Sequence, residues 1–173
     1  MSPSLSTGKQ PAVKAIVING IAAALVFVAA TFINIRVPIA GTGGMIHMGD
    51  LPLFVFALLY GRKTGAIAGA LGLTLFDLLT GWLLWAPFTF VIAGAMGWAV
   101  GSAAEKNPTH RLSVYLASIA AACLLTIGGY YIAEGLLYGN WLAPAGSVPV
   151  NFLQVALAAA IAYPLAKRLS KLV

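Results

Sequence analysis

A chain of 173 residues that is 61% hydrophobic and only 8% charged, with mean hydropathy +0.95, departs from the roughly 25% charged usage of soluble domains and belongs in lipid. A helix crossing a bilayer takes about 20 residues, so six crossings with short loops nearly exhaust the length and exclude a soluble catalytic domain. The formal charge of +6 comes from basic residues dispersed between apolar stretches, which reads as a topology signal rather than a nucleic-acid surface.

Residues 1–11, MSPSLSTGKQP, are polar and read as a flexible cytoplasmic N-terminus; residues 12–173 read as a single all-α transmembrane domain of six helices. The first helix is expected from Ala12 to Ile35, ending where Arg36 and Val37 lead into Pro38, since a proline pushes the residue before it out of helical geometry. Its apolar run is too long for a signal-peptide core and has no clear small-residue cleavage site, so it reads as a retained helix. A glycine-rich loop, IAGTGGMIHMGD, follows. The second helix spans Asp50 to Tyr60, with Asp50 as N-cap and Pro52 in the first turn, and is short for a crossing. The third covers Lys63 to Thr80, the fourth Ala86 to Ala104 with Pro87 in its first turn, the fifth Leu112 to Leu137 and the sixth Val148 to Leu169. Pro164 is expected to kink the sixth by removing one backbone bond.

Positive charge sets the orientation. With six crossings and both termini cytoplasmic, the inner segments hold Lys9, Lys14, Arg62, Lys63, Lys106, Arg111, Lys167, Arg168 and Lys171, leaving Arg36 outside. Were the short second helix only a re-entrant dip, every later loop would invert and break the positive-inside rule. It therefore reads as a crossing in a locally thinned bilayer. Three of the acids, Asp50, Asp77 and Glu134, fall at the outer ends of helices, and Glu105 is cytoplasmic.

The outer polar residues are the candidate site. Asp77 lies within the third helix, where a lipid-facing carboxylate is costly, so it faces protein, water or a ligand; Thr80 follows three residues on, on the same face. His47 can hydrogen-bond a heterocycle, and Asp50 either caps its helix or contacts a ligand. Tyr130, Glu134 and Tyr138 recur every four residues on one face of the fifth helix. Trp82, Trp85 and Trp141 share their level and form either an interfacial belt or walls for a flat ring held by a few polar groups. Asn151 and Gln154 either cap the sixth helix or add amide donors and acceptors. The single cysteine, Cys123, reads as a small buried hydrophobe. No metal site and no cofactor is indicated.

Small residues recur at four-residue spacing: Gly20 and Ala24, Gly65 and Gly69, then Ala93, Gly97 and Gly101. Such spacing lets helices approach closely; most of it serves internal packing, while the first helix offers a surface where a partner subunit can dock. The chain has no phosphate-binding G-x-x-x-x-G-K-[ST], no H-E-x-x-H and no G-x-S-x-G, so it has no means of powering transport with ATP by itself.

Residues 43–97, GGMIHMGDLPLFVFALLYGRKTGAIAGALGLTLFDLLTGWLLWAPFTFVIAGAMG, resemble the S components of energy-coupling factor (ECF) transporters. The branch they look most like is associated with hydroxymethylpyrimidine and pyridoxine-type vitamins. The likeness rests on Gly49 and Asp50, on the run from Gly61 to Gly72, and on Phe76 to Trp82 followed by Trp85, Ala86 and Pro87. It implies a multi-pass subunit in the plasma membrane of a prokaryote. Such a subunit binds its vitamin from outside, docks on a transmembrane T component carrying two ATPases, and topples to deliver the cargo. Family members often dock through A-x-x-x-A on the first helix. No strict pair occurs here, and Gly20/Ala24, or the line Ala15, Asn19 and Ala23, stands in its place. A self-contained small-solute permease or channel is the alternative. A membrane enzyme would need a second catalytic group beside Asp77.

Overall fold

The computed structural model describes residues 12–37, 44–107 and 111–172; the expected flexible N-terminus, 1–11, lies outside them, as does Pro38. The chain folds as α1 (Ala12–Phe32), β1 (Asn34–Val37), β2 (Gly44–His47), α2 (Asp50–Tyr60), α3 (Arg62–Thr80), α4 (Ala86–Glu105), α5 (Leu112–Tyr138), a 3-10 turn (Ala143–Gly146) and α6 (Ser147–Leu169). The protein is mostly helical, with six α-helices among the described residues. Four segments are long and apolar enough to cross a membrane: α1, α4, α5, and the 3-10 turn with α6. Large apolar side chains such as Val13, Leu79, Val91, Leu124 and Leu142 are exposed on the outside of the bundle, as a lipid-facing surface requires.

Two expectations are corrected. The first helix stops at Phe32 rather than Ile35: Asn34 Nδ2 donates to the carbonyls of Ala30 (3.1 Å) and Thr31 (2.7 Å), closing the helix end. The β-branched residues Ile35, Val37 and Ile46 then favour extended chain, and β1 pairs antiparallel with β2, Asn34 opposite His47 and Arg36 opposite Met45. Part of the expected loop is thus a hairpin. Asp50 is not the N-cap of α2. That position is Gly49, in helical geometry and without a side-chain cap bond, and the Asp50 carboxylate is turned instead toward α6. The other helix ends move by a residue or so, and α6 continues through Pro164.

α2 sits centrally, packed against α1, α3, α4 and α6, and its Leu53, Phe54 and Ala57 are fully buried. At 11 residues it is about 16 Å long by the rise of a helix, yet it carries the chain from one end of the bundle to the other. At its start lies the hairpin; at its finish Arg62 N donates to Glu105 Oε1 (2.9 Å) at the foot of α4. Every described basic residue except Arg36 lies at this second end, on the start of α1, α3 or α5 or the finish of α4 or α6.

The glycines expected to serve packing do so along α3 and α4. A Cβ on Gly65 would meet the backbone of Gly97, one on Gly69 that of Ala93, and one on Gly101 that of Arg62. The two helices touch backbone to backbone, which only residues without a side chain permit. α3 then ends at Gly81, whose φ of 94° is the left-handed conformation that glycine adopts freely. The backbone N–H groups of Gly81 and Trp82 both donate to Asp77 O, and this sharp stop aims Trp82 and Trp85 back over the end of the bundle.

Candidate functional site

At the hairpin end the helices diverge into an open cleft of about 560 Å³, counted out into the solvent at its mouth. α3 contributes Asp77 to its lining, the α3–α4 turn Trp82 and Trp85, and α4 Thr89. Tyr130 and Glu134 come from α5, Ser147, Val150, Asn151 and Gln154 from α6, and Gly44, Met45 and His47 from β2. Three helices, the α3–α4 turn and a strand thus bring together seven of the nine expected contacts: His47, Asp77, Trp85, Tyr130, Glu134, Asn151 and Gln154.

The other two are elsewhere. Thr80 Oγ1 donates to the carbonyl of Phe76 in its own helix (2.7 Å), a local bond open to any helical threonine, and does not line the cleft. Asp50 is 1% exposed and lies behind the lining, where its Oδ2 accepts from Gln154 Nε2 (2.9 Å). Asn151 and Gln154 do not cap α6, which begins at Ser147.

The polar groups divide into two sets. In one set, Thr89 Oγ1 and Tyr130 Oη are 3.1 Å apart, and Asp77 Oδ2 is buried with no hydrogen-bond partner. Nearer α6, Ser147 Oγ donates to Glu134 Oε2 (2.7 Å), leaving the other carboxylate oxygen of Glu134 available. Trp82 and Trp85 meet edge to face with ring centroids 5.2 Å apart, and Trp85 leans on Tyr138 at 5.9 Å. Tyr138 therefore supports the wall rather than lining it. Trp141 stacks near Tyr131 and covers Gly135 on α5.

The hairpin is tied down by Gln154, whose Oε1 accepts the backbone N–H of His47 (3.0 Å). His47 Nδ1 accepts from Gly49 N–H (3.3 Å), which leaves the ring proton on Nε2, and the ring packs on Phe76 at 5.5 Å. Burial pushes the His47 pKa below its ordinary value, against the opposing pull of the Asp50 carboxylate.

Thr89, Ser147, Met45 and Val150 were not singled out from the sequence. Thr89 lies one helical turn after Trp85, a spacing that would have pointed to it; Ser147 lies one residue before the expected start of the sixth helix, with no motif to mark it.

The model of the family described as "ECF-type riboflavin transporter, S component" matches residues 10–171. The chain belongs to this family. It is similar to the thiamine precursor transporter HmpT of Lactococcus lactis subsp. cremoris, at 29% identity over 93% of this chain and 88% of that protein. An uncharacterized protein of Pyrococcus woesei is 32% identical over 70% of this chain and 77% of its own length. A UPF0397 protein of Streptococcus agalactiae is 27% identical over 79% and 70% respectively. The expected family stands, and the protein is an S component, a transporter subunit and not an enzyme. The first helix, α1, has two distinct faces. Ala22, Val26 and Ala30 of α1 are buried, and a Cβ on Gly72 of α3 would meet Ala23 O. Ala15 and Asn19 project to the packed side by helical geometry, with Asn19 Oδ1 buried, and Ala23 flanks it. Gly20, with open space around it, and exposed Ala24 face away from the bundle.

Proposed function

We propose that this S component captures a hydroxymethylpyrimidine- or pyridoxine-like vitamin from outside the cell for uptake driven by a T component and two ATPases. Asp77 carries the reading: a carboxylate oxygen buried without a partner at an aromatic-walled cleft lacks only a donor, which an amino or hydroxyl group on a flat ring supplies. Glu134 offers a second acceptor, Trp82, Trp85 and Tyr130 offer ring faces, and Asn151 adds an amide. The thiamine precursor in the name of the Lactococcus relative agrees with this class; riboflavin, in the family's description, is the competitor to exclude. The experiment is calorimetric titration of the purified protein with hydroxymethylpyrimidine, pyridoxine and riboflavin. A pyrimidine or pyridine alcohol is expected to bind, and Asp77→Ala or Glu134→Gln to weaken it at least tenfold, about 1.4 kcal/mol. Unchanged affinity in both variants moves the site elsewhere.

In the membrane the reading has six crossings, both termini in the cytoplasm and the cleft facing out, in the plasma membrane of a prokaryote. The gathering of basic residues at the end opposite the cleft supports this orientation. The T component docks on the outward face of α1 through Gly20 and Ala24, in preference to the line Ala15, Asn19 and Ala23, because only the former pair leaves room for a second helix.

A further inference from the structure

We propose that the cleft accepts only uncharged or cationic ring alcohols and rejects their phosphate esters, so that the dephosphorylated vitamin is the species captured. The inference rests on the ligand class proposed above and adds a charge rule to it. Two carboxylates, Asp77 and Glu134, stand in the lining, 6% and 7% exposed, and none of the lining residues is Lys or Arg. The segment between the two strands, PIAGTG at 38–43, brings no basic residue either. The donors available are neutral: Tyr130, Thr89, the Asn151 amide and the ring N–H of His47. A phosphate monoester entering this space gives up its water for neutral donors and meets two acceptor carboxyl groups, a combination that desolvation and like-charge repulsion both oppose.

Arg36 is the one described basic residue at this end. It lies opposite Met45 on β1, so its side chain leaves the hairpin on the same side as a lining residue. It is nonetheless exposed and outside the lining, at the rim, where solvent and salt screen it. The buried oxygen of Asp77 that finds no partner within the protein accepts from a ligand hydroxyl, whereas a phosphate dianion in that hydroxyl's place only accepts.

The test is calorimetric titration of the purified full chain with two pairs, hydroxymethylpyrimidine and its monophosphate, and pyridoxine and its 5′-phosphate. For the alcohol that binds, the ester is expected to bind at least about 100-fold more weakly. Glu134→Gln and Asp77→Asn, which keep size and remove charge, are expected to tighten binding of the ester itself about tenfold or more. An ester within about threefold of its alcohol overturns the charge rule while leaving the ligand class standing. Ester binding no tighter in either variant overturns its assignment to the carboxylates. Binding of neither alcohol overturns the ligand class, and the charge rule with it.

Discussion

Gln154 and Asp50, 104 positions apart, are joined by a bond from the Gln154 amide nitrogen to an oxygen of the Asp50 carboxylate at 2.9 Å, while the Gln154 carbonyl accepts from His47 N–H. Because a backbone N–H only donates, His47 fixes the Gln154 amide oxygen toward the hairpin, and the amide nitrogen is left to donate to Asp50. One side chain of α6 therefore holds both β2 and the start of α2.

Gln154→Glu removes the donor to Asp50 and sets two carboxyl groups against each other in a buried place. It is expected to cost about 2 kcal/mol or more of stability and to weaken ligand binding, since the hairpin loses its tether. Asp50→Asn retains an acceptor and should cost less. Thermal unfolding of the two variants in detergent checks this; a Gln154→Glu protein as stable as the parent contradicts the tether.

The His47 ring is neutral by virtue of its burial, and its pKa lies below the unfolded value of about 6.5. The unfolded chain thus binds the proton first. The stability that His47 contributes is present above pH about 6.5 and is lost as pH falls toward and through the lowered folded value. Between about pH 7.5 and pH 5 the unfolding midpoint of the ligand-free protein should fall relative to that of His47→Gln. Equal changes in the two proteins remove His47 from the account.

Gly97→Leu should prevent folding, because a side chain there runs into the backbone of Gly65, and overpacking of this kind commonly costs about 1–3 kcal/mol or more. Gly20→Leu, with nothing within 4 Å, should leave a monodisperse protein that binds its ligand. Size-exclusion profiles of the pair separate internal packing from a free surface; a normal profile for Gly97→Leu contradicts the close approach of α3 and α4.

Single cysteines at Gly81 and Gly146, in a background with Cys123 replaced, should react from outside cells with an impermeant maleimide, and cysteines at Gly61 and Asn107 should not. The reverse pattern inverts the orientation and puts the cleft on the wrong side.

The helices were legible because long apolar runs punctuated by proline and glycine leave few alternatives: Asp50, Pro87 and Leu112 each lie at or beside a helix start as expected. The hairpin was not, because Asn34–Val37 has no alternation that distinguishes a short strand from the last turn of an apolar helix, and its partner lies across the glycine-rich stretch. Asp77, Tyr130, Glu134, Asn151 and Gln154 were legible through one rule, that polar groups at the ends of apolar helices must face something; Trp85 was legible as one of the aromatic residues at their level, and His47 by the hydrogen-bonding capacity of its ring. Asp50 and Thr80 obey the same rule by bonding within the protein, and sequence spacing does not say which solution a side chain takes. The two faces of α1 were likewise indistinguishable, since Ala22, Ala23 and Ala24 are identical in composition and differ only in what α3 presents to them.

Uptake into liposomes tests most directly the claim that this chain captures a vitamin but depends on partners to move it. The purified protein would be reconstituted alone and together with a T component and two ATPases, and ATP-dependent accumulation of the bound vitamin measured. Accumulation is expected only in the complete assembly, and Gly20→Leu or Ala24→Leu should abolish it while leaving binding intact. Robust accumulation by the chain alone would contradict the account, and full transport by both leucine variants would remove the docking face from α1.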